Sequence, residues 1–141
     1  MICLPDVNLW IALTSNRHVH HARAKEWLEG IGDARIAFCR ITELGLLRLL
    51  TNRHVMAEDV LAPREAWLVY DTWRMDPRVD FLAEPPGFGE RWRELGENIA
   101  GGANAWTDAY LAAFAAVSNA TLVTLDRRLN TLGAASVQYL L

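Results

Sequence analysis

The chain contains almost no lysine. Lys25 is the only lysine among 141 residues, against thirteen arginines. A phosphatase or phospho-receiver domain that forms an aspartyl phosphate needs a lysine late in the chain, and the phosphatase also needs a D-x-D motif after its first strand. The corresponding segment here is Asp6-Val7-Asn8. The sequence therefore excludes both of these classes.

Cysteine and long apolar runs are also scarce. Cys3 and Cys39 are the only cysteines, and both lie in apolar segments with the pattern of buried strands. Two cysteines this far apart, without a secretory signal, are typical of reduced core thiols rather than of a disulfide or a metal site. The N-terminus lacks the basic segment of a signal peptide, and no apolar run approaches the length of about 18 residues that a membrane span needs. We therefore expect a cytoplasmic protein that does not enter a membrane.

The chain has no excess of positive charge. Its formal net charge is −3, so no global basic field attracts nucleic acid. Hydrophobic residues make up 52% and charged residues 22%, which is the composition of a globular chain. The length predicts a single domain over residues 1–141. If the substrate is RNA, local arginines and a metal ion must supply the attraction.

Strand and helix patterns alternate along the chain. Apolar runs predict strands at 2–4, 34–39, 79–82, 121–125 and 136–139. Helical spacing predicts helices at 7–14, 22–29, 63–75, 88–98 and 108–118, and another that begins at Glu43. Thr42 and Thr107 are the expected N-caps of two of these helices. The alternation predicts an α/β fold with a mainly parallel sheet, whose working crevice lies at the carboxyl ends of the strands.

Four acidic residues stand beside apolar segments where a strand gives way to a loop or helix. They are Asp6, Glu43, Asp108 and Asp126. Each one alone is typical of a helix cap or a turn. Together they predict one carboxylate cluster, which would repel itself and raise the pKa of at least one member unless a cation were bound. Carboxylates bind hard cations such as Mg²⁺ or Mn²⁺, and such ions support phosphate chemistry.

Five further polar side chains flank these acids: Asn8, Thr107, Thr124, Arg40 and Arg48. The two threonine hydroxyls either reach the metal's waters or a phosphate, or serve only the helix cap and the strand. Asn8 either orients the preceding acid or satisfies backbone groups at the strand–helix junction. The two arginines are candidates for phosphate contacts beside the second acid.

The four acidic segments resemble, in their order and spacing, those of the PIN domain, and more narrowly those of VapC-type toxins of bacterial toxin–antitoxin pairs. The segments are LPDVNLWIAL, TELGLLRLLTN, TDAYLAAFA and ATLVTLDRRL, and the resemblance covers essentially the whole chain. It implies a three-layer α/β/α sandwich and a Mg²⁺- or Mn²⁺-dependent endoribonuclease that hydrolyses RNA. It also implies a VapB-type antitoxin as partner, and a homodimer.

The resemblance also implies a role for each acid. Asp6, Glu43, Asp108 and Asp126 correspond to the first to fourth catalytic acids in turn. Asp6 and Asp108 correspond to direct metal ligands, and Asp126 to a more peripheral acid. The alternative is a non-catalytic scaffold of the same fold that binds a protein partner. The presence of all four acids favours the enzyme.

Overall fold

A central sheet of five parallel strands organises the protein, and the computed structural model describes residues 1–141. The strands are β1 (Ile2–Pro5), β2 (Arg35–Phe38), β3 (Val79–Phe81), β4 (Thr121–Thr124) and β5 (Ser136–Tyr139). Their spatial order is β3-β2-β1-β4-β5, and every neighbouring pair is parallel. The chain builds outward from β1 to β3 and then returns to place β4 on the other side of β1. The order in which strands are added therefore reverses between β1 and β4. This reversal is the switch point of the sheet, where ligands bind in open α/β folds.

Seven helices cover the two faces of this sheet. They are α1 (Val7–Thr14), α2 (His21–Gly30), α3 (Arg40–Leu50), α4 (Arg53–Met56), α5 (Pro63–Met75), α6 (Phe88–Gly96) and α7 (Ala105–Ser118), with a single 3₁₀ turn at Ala57–Asp59. One buried cluster joins the sheet to α1, α2, α3 and α5, and a second joins it to α6 and α7. This is the three-layer α/β/α sandwich with a parallel sheet that the sequence predicted.

Side chains alternate between the two cores along each inner strand. In β1, Cys3 packs into the first core and Leu4 into the second, and in β4 Leu122 and Val123 divide in the same way. Successive strand residues point to opposite faces, and here both faces are buried. The middle residues of these inner strands are therefore apolar. Cys3 and Cys39 are both buried and form no disulfide, as predicted.

Helix α3 begins earlier than the sequence predicted. Its N-cap is Cys39 and its first residue is Arg40, so Thr42 is not the cap. The Thr42 hydroxyl instead accepts a hydrogen bond from the Cys39 backbone N–H at 3.0 Å and donates to the Cys39 carbonyl at 3.1 Å. Thr42 therefore caps from inside the helix, and the helix starts directly after β2.

Helix α7 also begins earlier than the sequence predicted, after a loop that contains two glycines. Gly101 and Gly102 have φ values of +93° and +104°, which glycine adopts without the steric cost of a Cβ. Asn104 is the N-cap, so Thr107 lies inside the first turn and does not cap the helix. Asp108 consequently follows a loop and a first helical turn rather than a strand end.

A close contact between α1 and α3 sets the position of one wall of the site. A Cβ on Gly45 would lie 2.9 Å from Cγ1 of Val7 and still closer to Cγ2. Only glycine at this position lets the two helices approach to this distance.

No helix of the structure is both long enough and apolar enough to cross a membrane.

Candidate metal and active site

Asp6 is a buried carboxylate at the junction of β1 and α1. Its Oδ1 accepts a hydrogen bond from the Leu9 backbone N–H at 2.8 Å and so caps α1, and its Oδ2 accepts from the Thr124 hydroxyl at 2.5 Å. The side chain is only 5% exposed. Burial raises the pKa of Asp6 from 3.8 to about 6, against the lowering effect of the two hydrogen bonds. The negative charges of Asp126 and Asp108 raise this pKa further.

Thr124 connects the ends of the two strands at the switch point. Its hydroxyl donates to Asp6 and accepts from the Asp126 backbone N–H at 2.9 Å, and its side chain is fully buried. The Asp6 backbone N–H donates to the carbonyl of Val123 at 3.0 Å, so β1 and β4 are also joined through the main chain. Thr124 therefore orients the Asp6 carboxylate.

Asp108 and Asp126 differ in how their charge is balanced. Burial raises the pKa of Asp108, as does the charge of Asp126, while a backbone hydrogen bond from Asn130 lowers it. Asp126 receives Nε of Arg128 at 3.0 Å and Nη2 at 3.2 Å, and this ion pair lowers its pKa. Asp126 thus has a cationic partner in the protein, whereas the acids around it keep an elevated proton affinity.

The three aspartates line a single cavity of about 710 Å³. Its walls are formed by the exposed side of α3, by residues 99–108 and by residues 126–132. Three of the predicted flanking residues, Asn8, Thr107 and Arg48, also line it. Because α7 and β4 bring Asp108 and Asp126 to the end of β1, acids that are distant in sequence share one crevice. The expected rise in a carboxylate pKa is present, with burial as its largest cause.

Glu43 lies elsewhere, in the first turn of α3. It is 7% exposed and accepts a hydrogen bond from Nη1 of Arg40 at 2.6 Å. Burial raises the pKa of Tyr70, and a hydrogen bond between Tyr70 and Glu43 raises it further. Neither Glu43 nor Arg40 lines the cavity, because α3 turns residues such as Leu44 towards it instead. The role of Glu43 as the second catalytic acid therefore stays a prediction.

Arg128 is a site residue that the sequence analysis did not single out. It lies two residues after Asp126, and its backbone N–H donates to Oδ1 of Asp126 at 2.9 Å. An aspartate that bonds the backbone two residues ahead forms an Asx turn, which is frequent after a strand. The D-R-R triplet could have indicated this contact, because an Asx turn at Asp126 places Arg128, the second arginine, beside the aspartate.

The donor chemistry fits a hydrated hard cation. No group of three or more histidine, cysteine, aspartate or glutamate side chains is arranged to enclose a metal ion. Mg²⁺ does not require such a cage, because one or two carboxylates commonly bind it while it keeps several waters. Asp6 and Asp108 have no cationic partner among the hydrogen bonds and ion pairs of the structure, so they are the carboxylates that would hold such an ion.

Comparison with known proteins places the chain in a family. Residues 3–134 match the PIN domain. The chain is 39% identical over 142 residues to Ribonuclease VapC41 of Mycobacterium tuberculosis, with 97% of each chain covered. It is 29% identical over 129 residues to Ribonuclease VapC43 of the same species, covering 90% of this chain and 86% of that protein.

Solved structures share the fold at lower identity. Mycobacterium tuberculosis VapC20, described as a Sarcin-Ricin loop cleaving toxin, has a TM-score of 0.72 at 16% identity, covering 96% of this chain and 98% of that chain. VapBC2 from Rickettsia felis has a TM-score of 0.68 at 17% identity, covering 99% and 98%. Metal-dependent cleavage of RNA is the general activity of the family that these matches define. The chain belongs to the PIN-domain family and, within it, to the VapC ribonucleases of toxin–antitoxin systems.

Proposed function

We propose that this chain is a metal-dependent endoribonuclease toxin that hydrolyses phosphodiester bonds in RNA at the cavity lined by Asp6, Asp108 and Asp126. We further propose that residues 1–141 act as one PIN domain in the cytoplasm. The observation that carries the proposal is the meeting of three aspartates at the switch point of a parallel sheet. Two of them have raised pKa values and no basic partner. Together with membership of the VapC ribonucleases, this arrangement supports phosphodiester chemistry at this cavity.

In this proposal Asp6 and Asp108 hold Mg²⁺ or Mn²⁺. When bound, such an ion lowers the pKa of a coordinated water and stabilises the charge that develops on the phosphate oxygens. The hydrogen bonds from Leu9 and Thr124 fix both oxygens of Asp6 and leave each a further lone pair for a ligand. The protein thus orients this carboxylate before any ligand binds, so little reorganisation accompanies the reaction.

The remaining cavity residues have supporting roles in the proposal. Asp126 adds negative charge that favours a cation, but its pairing with Arg128 makes it the weaker ligand of the three. Arg48 projects from α3 into the opposite wall, where it is available for a phosphate of the substrate. Asn8 and Thr107 line the same cavity as polar contacts for RNA or for the metal's waters.

We also propose a VapB-type antitoxin as inhibitory partner, and a homodimer as the toxin's own state. The neighbouring structure from Rickettsia felis is a VapBC2 structure bound to a DNA fragment. The cavity here has both apolar residues, such as Leu44 and Leu129, and carboxylates without a basic partner. An antitoxin segment with apolar side chains and one arginine complements that lining, with the arginine docking at the acids. Antitoxin affinity should fall when Asp6 and Asp108 are both changed to asparagine, and an unchanged affinity would contradict this docking.

The activity is tested by incubating total cellular RNA with the purified protein and Mg²⁺ or Mn²⁺. We expect cuts at a few positions that disappear with EDTA and in Asp6→Asn. The matched control is Asp76→Asn, because Asp76 is an aspartate paired with Arg78 outside the cavity. Cleavage that survives in Asp6→Asn, or no cleavage with any divalent metal, would overturn the proposal and favour a scaffold that only binds a partner.

A further inference from the structure

A basic and aromatic cluster lies at the carboxyl edge of the sheet, outside the cavity. Phe81 is the last residue of β3, Arg40 follows β2 as the first residue of α3, and Arg74 is in the last turn of α5. The guanidinium carbon of Arg40 lies 4.6 Å from the centroid of the Phe81 ring, and that of Arg74 lies 5.8 Å from it. We call Arg40, Arg74 and Phe81 the arginine platform.

The two guanidinium groups keep most of their hydrogen-bond donors unused. Arg40 donates from Nη1 to Glu43, and Arg74 donates from Nη1 to the Tyr70 hydroxyl at 3.3 Å. Neither side chain makes another hydrogen bond in the structure, although each guanidinium has five N–H donors. The Arg40 side chain is 70% exposed. An arginine that stacks on a ring has its face covered while its N–H edges stay open, which suits bidentate contact with a phosphate.

The charges around the platform leave a net positive excess. Two carboxylates face it: Glu43, which is bonded to Arg40, and Asp80, whose pKa Arg74 helps to lower. Asp80 is itself paired with Arg35 on the neighbouring strand. Glu43 therefore balances Arg40 and Arg35 balances Asp80, and Arg74 is left without a carboxylate partner in an ion pair. This local excess of positive charge contrasts with the net charge of −3 of the whole chain.

The cavity needs such a region if its substrate is RNA. Three aspartates line the cavity against two arginines, Arg48 and Arg128, and Arg128 is already engaged by one of the aspartates. A polyanion approaching these acids is repelled unless positive charge beside the cavity compensates. The platform lies at the same edge of the sheet, two strands from β1. Neighbouring strands are about 4.8 Å apart, so the platform stands roughly 10 Å along this edge from the end of β1.

We propose that the arginine platform is a binding subsite for the phosphate backbone of single-stranded RNA beside the cavity. This inference rests on the proposed ribonuclease function. RNA fits the platform better than a protein partner does, because the free in-plane donors of two guanidiniums at one ring match phosphate oxygens that repeat along a strand. In this arrangement Glu43 holds Arg40 in place over the ring, which gives this buried acid a structural use at the edge of the site.

The test measures RNA binding without cleavage. Asp6→Asn serves as the parent, in EDTA, with a fluorescein-labelled oligouridylate of about 12 nucleotides, a length within known single-strand site sizes. Fluorescence anisotropy over a series of salt concentrations gives the affinity and its salt dependence. Adding Arg40→Gln and Arg74→Gln should weaken binding. Removing one arginine–phosphate interaction should reduce the slope of log K against log salt by about 0.7, so removing both should reduce it by about 1.4.

The matched control is Arg93→Gln. Arg93 is an exposed arginine paired with Glu97 on α6, which packs on the other face of the sheet. It should leave affinity and slope unchanged, and urea unfolding of every variant checks that the fold is retained. Replacing both platform arginines by lysine keeps the charge but removes the planar fork. That change should retain the slope and still weaken binding.

Equal slopes in the double glutamine variant and in Arg93→Gln would overturn the subsite. So would a double variant that binds RNA normally and loses only its affinity for the antitoxin. If the unmutated protein still cleaves RNA in either case, only the subsite fails. If the parent binds no RNA and the unmutated protein cleaves none with any divalent metal, the subsite and the proposed function fail together.

Discussion

Asp6 should make the metal-free protein less stable at neutral pH than at mildly acidic pH. Its pKa is raised from 3.8 to about 6 in the folded state, mainly by burial. Between these two values the folded state binds the proton more tightly than the unfolded state does, so stability falls as pH rises through this window. A shift of about 2 units corresponds to about 3 kcal/mol at pH 7.

Replacing Asp6 by asparagine removes this cost. Asparagine is an equally good N-cap and can still accept from Leu9, and its amide can donate to the Thr124 hydroxyl. The stability of the variant minus that of the parent should therefore rise by up to about 3 kcal/mol between pH 4 and pH 7. The difference cancels the contributions of other titrating groups. The assay is urea unfolding in EDTA at closely spaced pH values.

The control for this prediction should show no such rise. The pKa of Asp76 is lowered from 3.8 by its hydrogen bonds from Arg78, so its ionised form stabilises the fold above pH 3.8 and this stabilisation is lost at lower pH. Asp76→Asn should therefore reduce stability by nearly the same amount at pH 4 and at pH 7. At pH 7, Mn²⁺ at about 100 times its Kd should stabilise the parent by about 2.7 kcal/mol and leave Asp6→Asn unchanged. A stability difference between Asp6→Asn and the parent that is flat across pH 4–7 would refute the reasoning.

Three further substitutions test the supports of the site. Thr124→Val removes a hydrogen bond that lowers the pKa of Asp6, so the acid limb of the pH profile of cleavage should move to higher pH. The free energy of unfolding should also fall by about 1–3 kcal/mol. Thr124→Ser keeps the hydroxyl and should cause neither change. Gly45→Ala should lower the free energy of unfolding, measured in urea, by about 1–3 kcal/mol, because the new Cβ collides with Val7. Val7→Ala should restore the stability of this variant. Additive effects of the two changes would contradict the close packing of α1 on α3. Glu43→Gln should reduce Mn²⁺ binding, measured by calorimetry, far less than Asp6→Asn does, because Glu43 does not line the cavity, and equal reductions would return it to the metal site.

The sheet and two of its acids could be predicted from the sequence because local signals determined them. Local patterns mark each of the five strands, Asp6 comes directly after β1, and Asp126 lies two residues after the end of β4. In a parallel sheet the carboxyl ends of strands share an edge, so their proximity follows from the topology alone. Nothing in the sequence indicated that β4 lies beside β1, which is what brings these two acids together.

The sequence does not show which face of α3 carries Glu43, because it does not show where the helix starts. Thr42 is a favourable cap by residue type, yet α3 is capped at Cys39, which is not a usual N-cap residue. The chain enters α3 directly from β2, so the end of the strand decides where the helix starts. Each residue of a helix advances by about 100°, and an error in its start changes the expected direction of its side chains.

Other features depend on packing between distant segments. The sequence predicts no helix that begins within 51–62, but this segment contains α4 and a 3₁₀ turn, which are too short to show a helical period. The arginine platform joins α3, α5 and β3, and no spacing along the chain indicates that Arg40 and Arg74 meet over one ring. Such sites follow from the packing of elements rather than from any one of them.

The central claim is that Asp6 and Asp108 hold a divalent cation at the switch point of the sheet. The most direct measurement is Mn²⁺ titration followed by electron paramagnetic resonance, with the unmutated protein, Asp6→Asn, Asp108→Asn and the Asp76→Asn control. The account predicts bound Mn²⁺ in the unmutated protein and the control, and no bound Mn²⁺ in either cavity variant. Mn²⁺ binding that persists in Asp6→Asn and Asp108→Asn, or that is absent from the unmutated protein, would contradict it.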